Sequence, residues 1–128
     1  MTIVRTVPDV RSLDLRASQQ FYEGLFGFKT VMEASGMLIL ASPTQPQQQV
    51  TLNGDTAEAI GLPAGFAVDV GHPDAVSELH DRAAELGCPI VEPLEDKPMR
   101  IRRFSLLDPS GTRVTVLAHL DEAHQPSR

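Results

Sequence analysis

Any chemistry in this chain must come from a small set of side chains. There are four histidines and one cysteine. His72, His80, His119 and His124 show neither HxH nor HxxxH spacing, so they do not mark a metal site. Cys88 stands alone, which leaves no disulfide framework and no thiolate cluster. Acids and arginines at alternate positions offer more. Asp9 alternates with Arg11, and Arg113 alternates with Thr115, Leu117 and His119. A period of two puts such residues on one face of a strand. From that face Asp9, Asp69 or His119 could act as a general base while an arginine stabilises an anion. The same residues also suit plain cross-strand pairs, Asp9 with Arg11 or Asp69 with Arg113, each worth ~0–1 kcal/mol. Arg100, Arg102 and Arg103, beside Met99, read as a charged edge strand that resists sheet addition, or as an anion-facing lip.

These side chains are positioned by short elements. Phe104 to Ala118 reads as strand, tight turn, strand. Asp108, Pro109 and Gly111 occupy the first, second and fourth positions of a type I turn. Behind the turn, Arg113, Thr115 and Leu117 alternate with Val114, Val116 and Ala118, so one face is apolar and the other mixed. Asp14 to Phe26 is expected to be helical, with an acid at its start, Phe21, Tyr22, Leu25 and Phe26 on adjoining positions, and Gly27 as its stop. Pro73 to Leu86 is a second helix with Asp74 in its first turn; Val76, Leu79, Ala83 and Leu86 recur at helical spacing before Gly87. His72 falls at its start as a cap-like or exposed residue, and His80 at its amphipathic edge.

At 128 residues the chain is one domain, or two small halves sharing a core. Its net charge of −6 argues against nucleic-acid binding and is mildly compatible with a cationic ligand. No apolar run approaches the roughly 20 residues of a membrane helix, and the first residues lack a signal-peptide core. A cytoplasmic location is the expectation. The halves look alike: Asp14 and Asp74, Gly27 and Gly87, and Val31 and Val91 are each sixty positions apart. Expected strands are Ile3–Val10, Lys29–Glu33, Met37–Ala41 and Gln49–Asn53 in the first half. In the second they are Phe66–Val70, Ile90–Glu92, Ile101–Leu107 and Arg113–Ala118. Residues 42–48 and 55–64 read as loops, the latter joining modules of about 1–56 and 64–119, and 120–128 as a flexible tail.

The stretch DLRASQQFYEGLFGF, Asp14 to Phe28, resembles the first-helix signature of the vicinal oxygen chelate superfamily. That superfamily includes glyoxalase I, extradiol dioxygenases, and fosfomycin and bleomycin resistance proteins. DPSGTRVT, Asp108 to Thr115, resembles its second signature, and the match runs from residue 3 to 119. The resemblance implies an α+β fold: two βαβββ modules whose sheets form a half-open, barrel-like cleft with both helices outside. It also implies a divalent metal held by His, Glu or Gln from the first and last strands of each half. Carried onto this chain, those positions fall on Val7, near Gln49, on Gly65 and on Thr115. Valine and glycine have no donor, and a threonine hydroxyl is a poor one. Shifting by one residue to Thr6, Pro8, Ala64, Phe66, Val114 or Val116 restores nothing. No cofactor is therefore expected. Arg11 lies where glutathione-using members resemble it in carrying an arginine.

If Thr115 marks the cleft face, the candidate ligand-binding residues are Val7, Asp9, Arg11, Gln49, Thr51, Gly65, Ala67, Asp69, Arg113, Thr115 and His119, with Asn53 and Leu117 beside them. Val7, Gly65, Ala67 and Thr115 make a smooth floor with polar groups around it, as in small-molecule pockets. Three functions fit. The first is a metal-free resistance or sequestration protein that binds a small aromatic or cationic molecule between two subunits, although the absence of Trp limits stacking. The second is a metal-independent isomerase, lyase or cyclase. The third is a metal-dependent glyoxalase or dioxygenase, which the missing ligands disfavour. Whether the protein is an enzyme stays open. A small-molecule ligand and a homodimer are expected, and nucleic acid and membrane are not. Replacing Gly65 with Leu is expected to close the pocket and leave the ligand-free fold intact.

Overall fold

The computed structural model describes residue 2 and residues 5–54 and 65–120. Its elements are β1 (Asp9–Arg11), α1 (Leu15–Phe26), β2 (Lys29–Ala34), β3 (Met37–Ala41) and β4 (Gln49–Asn53), then β5 (Gly65–Asp69), α2 (Pro73–Glu85), β6 (Ile90–Lys97), β7 (Ile101–Leu107) and β8 (Arg113–His119). Two units divide the chain, residues 1–64 with 109–112, and residues 65–108 with 113–128. Each holds one four-stranded open sheet, ordered β1-β4-β3-β2 in the first and β5-β8-β7-β6 in the second. The two orders are the same once the second is renumbered. In each, the first strand lies parallel to the last and the other pairs are antiparallel. This is the α+β, βαβββ architecture expected from the sequence.

In the first unit Asp14 caps α1, its side chain accepting the Ala17 N–H at 3.1 Å. Gly27 ends the helix with φ of 77°, a left-handed conformation that side chains resist. The buried face of α1 carries Ser18, Gln19, Tyr22 and Leu25. It lies over Leu38, Leu40, Val50 and Leu52 of β3 and β4, all buried, as is Val10 of β1. The polar members of that face are satisfied. Ser18 Oγ lies 2.6 Å from Ser12 Oγ, and Gln19 donates to Thr30 Oγ1 at 2.8 Å. Phe21 is only half-buried and packs edge-on against Tyr22. The turn segment 109–112 belongs to this unit, where Ser110 Oγ accepts the Leu13 N–H at 2.7 Å.

In the second unit His72 is the N-cap of α2, its ring Nδ1 accepting the Asp74 N–H at 3.1 Å, with Pro73 in the first turn. Val76 and Ala83 pack without exposure over Phe104, Leu106, Val114, Val116 and Ala118, which are also fully buried. His80 meets Phe104 edge-on at 5.2 Å between ring centroids. Leu86, which shares the helical spacing of Val76, Leu79 and Ala83, is 61% exposed, because the helix stops at Glu85 and Leu86 is its C-cap.

Several strand limits differ from the expectation. β1 starts at Asp9, since Pro8 has no N–H to give the ladder and contributes only its carbonyl, to Thr51 N at 2.9 Å. Ile3 and Val4 lie outside the described residues, as do the loop 55–64 and the tail from 121 with His124. β6 continues through Pro93 to Lys97, which an edge strand tolerates, with a register shift between Glu92 and Glu95. Arg102 and Arg103 lie on β7, inside the sheet between β6 and β8, and so do not form the expected edge. A shift at Val31, between Thr30 and Met32, is matched by one at Val91, between Ile90 and Glu92. The two halves thus share their bulge as well as their topology. No helix among the described residues is long and apolar enough to cross a membrane.

Candidate functional site

Each sheet has one face under its helix and one open face, and alternation along the strands decides which side chain goes where. In β8 Val114, Val116 and Ala118 are buried under α2 while Arg113, Thr115, Leu117 and His119 point the other way. The parallel register sets Gly65 beside Arg113, Ala67 beside Thr115 and Asp69 beside Leu117. All the second-half candidates therefore share the open face, with His119 exposed at the strand end. In the first sheet Asp9 pairs with Thr51 and Arg11 with Asn53, and Gln49, Thr51 and Asn53 alternate with buried Val50 and Leu52. Val7 precedes β1 and lies in no strand.

The open face of the second sheet carries a polar network centred on Glu92, a residue that sequence reasoning passed over. The bulge at Val91 places Glu92 opposite Ser105, which in turn pairs with Thr115. Ser105 Oγ donates to Glu92 Oε1 at 2.9 Å and lies 2.8 Å from Thr115 Oγ1. Arg103 donates through Nε and Nη2 to Glu92 Oε2 at 3.3 and 3.2 Å. Lys97 Nζ stands 3.4 Å from Oε2, and Arg113 Nη2 stands 3.5 Å from Oε1. The Glu92 side chain is 15% exposed. Burial alone would push its carboxyl up, but the Ser105 hydrogen bond and the Arg103 and Lys97 partners outweigh burial and hold it below the ordinary glutamate value. A carboxylate so stabilised is a weak base at neutral pH.

The other candidate acids already have partners. Asp69 Oδ1 accepts the Gly71 N–H at 2.9 Å in the turn before α2, and Asp9 Oδ1 accepts from Asn53 at 3.2 Å. The Gln49 amide donates to the Pro46 carbonyl at 3.2 Å. Burial pushes the Cys88 thiol up, away from the reactive thiolate.

A divalent ion does not fit these residues. By register the first-sheet match of Thr115 is Thr51, since each lies opposite the residue paired across the bulge, so Gln49 is displaced from that position. The implied positions then offer valine, glycine and two threonines, and the hydroxyl of Thr115 is hydrogen-bonded to Ser105. The nearby carboxylate of Glu92 faces three cations, which would repel a fourth. Among the described residues no three His, Cys, Asp or Glu side chains gather as a metal would require.

Gly65 corrects an expectation. A Cβ built there would lie 2.8 Å from the Arg113 carbonyl oxygen and 3.3 Å from its Cβ. Glycine is needed for the close approach of β5 to β8, so a leucine would strain the sheet as well as filling space.

A family model described as Glyoxalase/Bleomycin resistance protein/Dioxygenase superfamily matches residues 2–116. Among solved structures, the chain is similar to a lactoylglutathione lyase from Agrobacterium tumefaciens, at 20% identity and a TM-score of 0.75, over 90% of this chain and 92% of that one. It is similar to a glyoxalase/bleomycin resistance protein/dioxygenase family enzyme from Burkholderia phytofirmans, at 19% identity and a TM-score of 0.75, over 89% and 97%. A third, a glyoxalase/bleomycin resistance protein/dioxygenase from Nocardioides, shares 21% identity with a TM-score of 0.70, over 94% and 88%. At these identities the likeness is one of fold. No curated protein matches the sequence significantly.

Proposed function

This chain belongs to the Glyoxalase/Bleomycin resistance protein/Dioxygenase superfamily, and from that premise we propose that it is a metal-independent binding protein of the resistance or sequestration kind. Its ligand is a small organic molecule held against the open face of the β5–β8 sheet. The observation that supports this reading is the hydrogen-bonded network Thr115–Ser105–Glu92, whose Thr115 stands at an implied ligand position, beside the small residues Gly65 and Ala67. Such a face offers shape and hydrogen bonds without a Lewis acid. The candidate bases favour binding over an isomerase or lyase, because Asp9 and Asp69 are tied to Asn53 and Gly71 and His119 is exposed at the end of β8. On the same reading the protein is a cytoplasmic homodimer. Val31 and Met32 on β2 and Val91 on β6 are large, exposed and on sheet edges, where a second chain gives cover.

The test is thermal denaturation against a panel of small organic molecules, with the Ala67→Leu variant as control and elemental analysis of the purified protein. A true ligand at a hundred times its dissociation constant adds about 2.7 kcal/mol of stability. Ala67→Leu should unfold near the wild-type temperature without ligand and lose that gain. A panel with no stabilising member, or near one metal ion per chain at these positions, would refute the reading.

A further inference from the structure

We infer that Arg103 and Arg113, braced by Glu92, form a recognition site for an oxyanion, so that the molecule held over Gly65 and Ala67 carries a carboxylate or phosphate group. This rests on the reading of that face as a binding surface and adds the charge of the ligand to it.

The first argument is local charge. The chain as a whole carries −6. On this face, however, Arg103 and Arg113 share the single carboxylate of Glu92, while Glu95 holds Lys97 at 2.7 Å and Asp69 accepts the Gly71 N–H. Two guanidinium groups on one carboxylate leave a local surplus of positive charge that draws an anion to one place.

The second argument is donor count. A guanidinium has five N–H donors in a fixed fork. Arg103 commits Nε and Nη2 to Glu92, and Arg113 commits only Nη2, at 3.5 Å and with its side chain 54% exposed. Among the described residues no other acceptor takes the remaining donors of either arginine. Their placement is also suitable. Arg103 lies opposite Leu117 and Arg113 opposite Leu107, so the two flank the Ser105–Thr115 pair from either side. Glu92 therefore acts as a positioning residue that holds the guanidinium groups over the hydroxyl pair, and an incoming oxyanion meets donors already oriented.

The third argument comes from the duplication. Matching the registers sets Met32 against Glu92, Met37 against Arg103, Ile39 against Ser105 and Gln49 against Arg113. The first sheet has the same strand order and the same bulge with no charge at any of these four positions. The architecture therefore does not demand the charged set, and ligand recognition accounts for it.

The experiment is an amide-resolved NMR titration of the full chain with four probes of one shape: benzoate, phenylphosphonate, benzamide and benzylammonium. Benzoate or phenylphosphonate should shift β7 and β8 resonances saturably and bind at least tenfold more tightly than the other two. Whichever of them binds better identifies the group as carboxylate or phosphate. Arg113→Met, checked for an unchanged melting profile, should weaken that binding at least tenfold, and Arg103→Met provides a second variant. Benzamide or benzylammonium binding as tightly as the anions, with loss in Ala67→Leu, would overturn the inference and leave the binding reading standing. Undiminished anion affinity in both arginine variants would also overturn it. If no probe shifts the β5–β8 face, the inference and the binding reading fall together.

Discussion

Removing the Glu92 carboxylate should cost more stability than removing any other charged side chain on the open face of the second sheet. Glu92→Ala deletes the acceptor of the buried Ser105 hydroxyl and the counter-ion of Arg103, with Lys97 and Arg113 at longer range. A hydrogen bond to a charged group contributes about 1.5–3 kcal/mol, and the contacts at 3.4 and 3.5 Å add little. Ser105 keeps Thr115 as a partner, which limits the loss. The net expectation is about 2 kcal/mol, or ~8 °C in melting temperature for a chain of this size. Urea unfolding at pH 7 should show a lower midpoint with an unchanged slope. The effect has a definite pH dependence. The folded-state pKa of Glu92 is depressed, so its contribution is complete above the unfolded glutamate value of about 4.3 and is lost as pH falls below that through the folded value. Wild type and variant should therefore converge toward pH 3 and diverge above pH 5. A variant within ~0.5 kcal/mol of wild type at pH 7 would refute the reasoning. So would a gap that does not shrink in acid.

Two further outcomes follow from the backbone. Gly65→Ala should destabilise the fold by roughly 1–3 kcal/mol, the range for overpacking, because its Cβ meets the Arg113 carbonyl at 2.8 Å; an unfolding midpoint equal to wild type would show that β5 can move aside. Arg100 has φ of 66°, so Arg100→Gly should be more stable than Arg100→Val by about 1–2 kcal/mol in denaturant titrations. Both variants lose the guanidinium, so the difference reads backbone strain, and equal midpoints would remove the strain argument.

Much of the fold was legible because its punctuation is local. Asp14, Gly27, Pro73 and Gly87 fix helix ends through capping and φ, which act within a few residues. The limits of β3, β4 and β7 followed from apolar alternation between turn signals. What failed depended on pairing. The strand expected over Ile90–Glu92 continues through Pro93 to Lys97, since an edge strand needs no donor on its free side. The arginine run looked like an edge because charge is a property of the residue, whereas the place of β7 inside the sheet is a property of strand order. Glu92 was missed for the same reason. Only the bulge at Val91 puts its carboxylate opposite Ser105. One signal was present in the sequence: Arg103 and Ser105 alternate with Phe104 and Leu106, a polar face on an otherwise apolar strand. The candidates on β5 and β8 came out on one face because a period-two register carries all of them together or none.

The two halves also separate what the architecture requires from what it only tolerates. Replacing a whole buried ion cluster by apolar side chains is often neutral or stabilising, whereas removing one member leaves the others uncompensated. Both situations bear on this molecule. The first sheet holds Met32, Met37 and Ile39 where the second holds Glu92, Arg103 and Ser105, and it forms the same ladder. The cost expected for Glu92→Ala is thus a cost of breaking the set, and it does not measure what the set contributes to folding. A cluster that is costly to break but that its duplicate does without gains little from folding alone. Its retention is explained by the open face it occupies, where Arg113 is half exposed and Thr115 only partly covered. The halves have kept their buried faces in common, Leu38, Val50 and Leu52 in one matching Phe104, Val114 and Val116 in the other. They have diverged on the faces that no helix covers, which is where a binding function can change without disturbing the core.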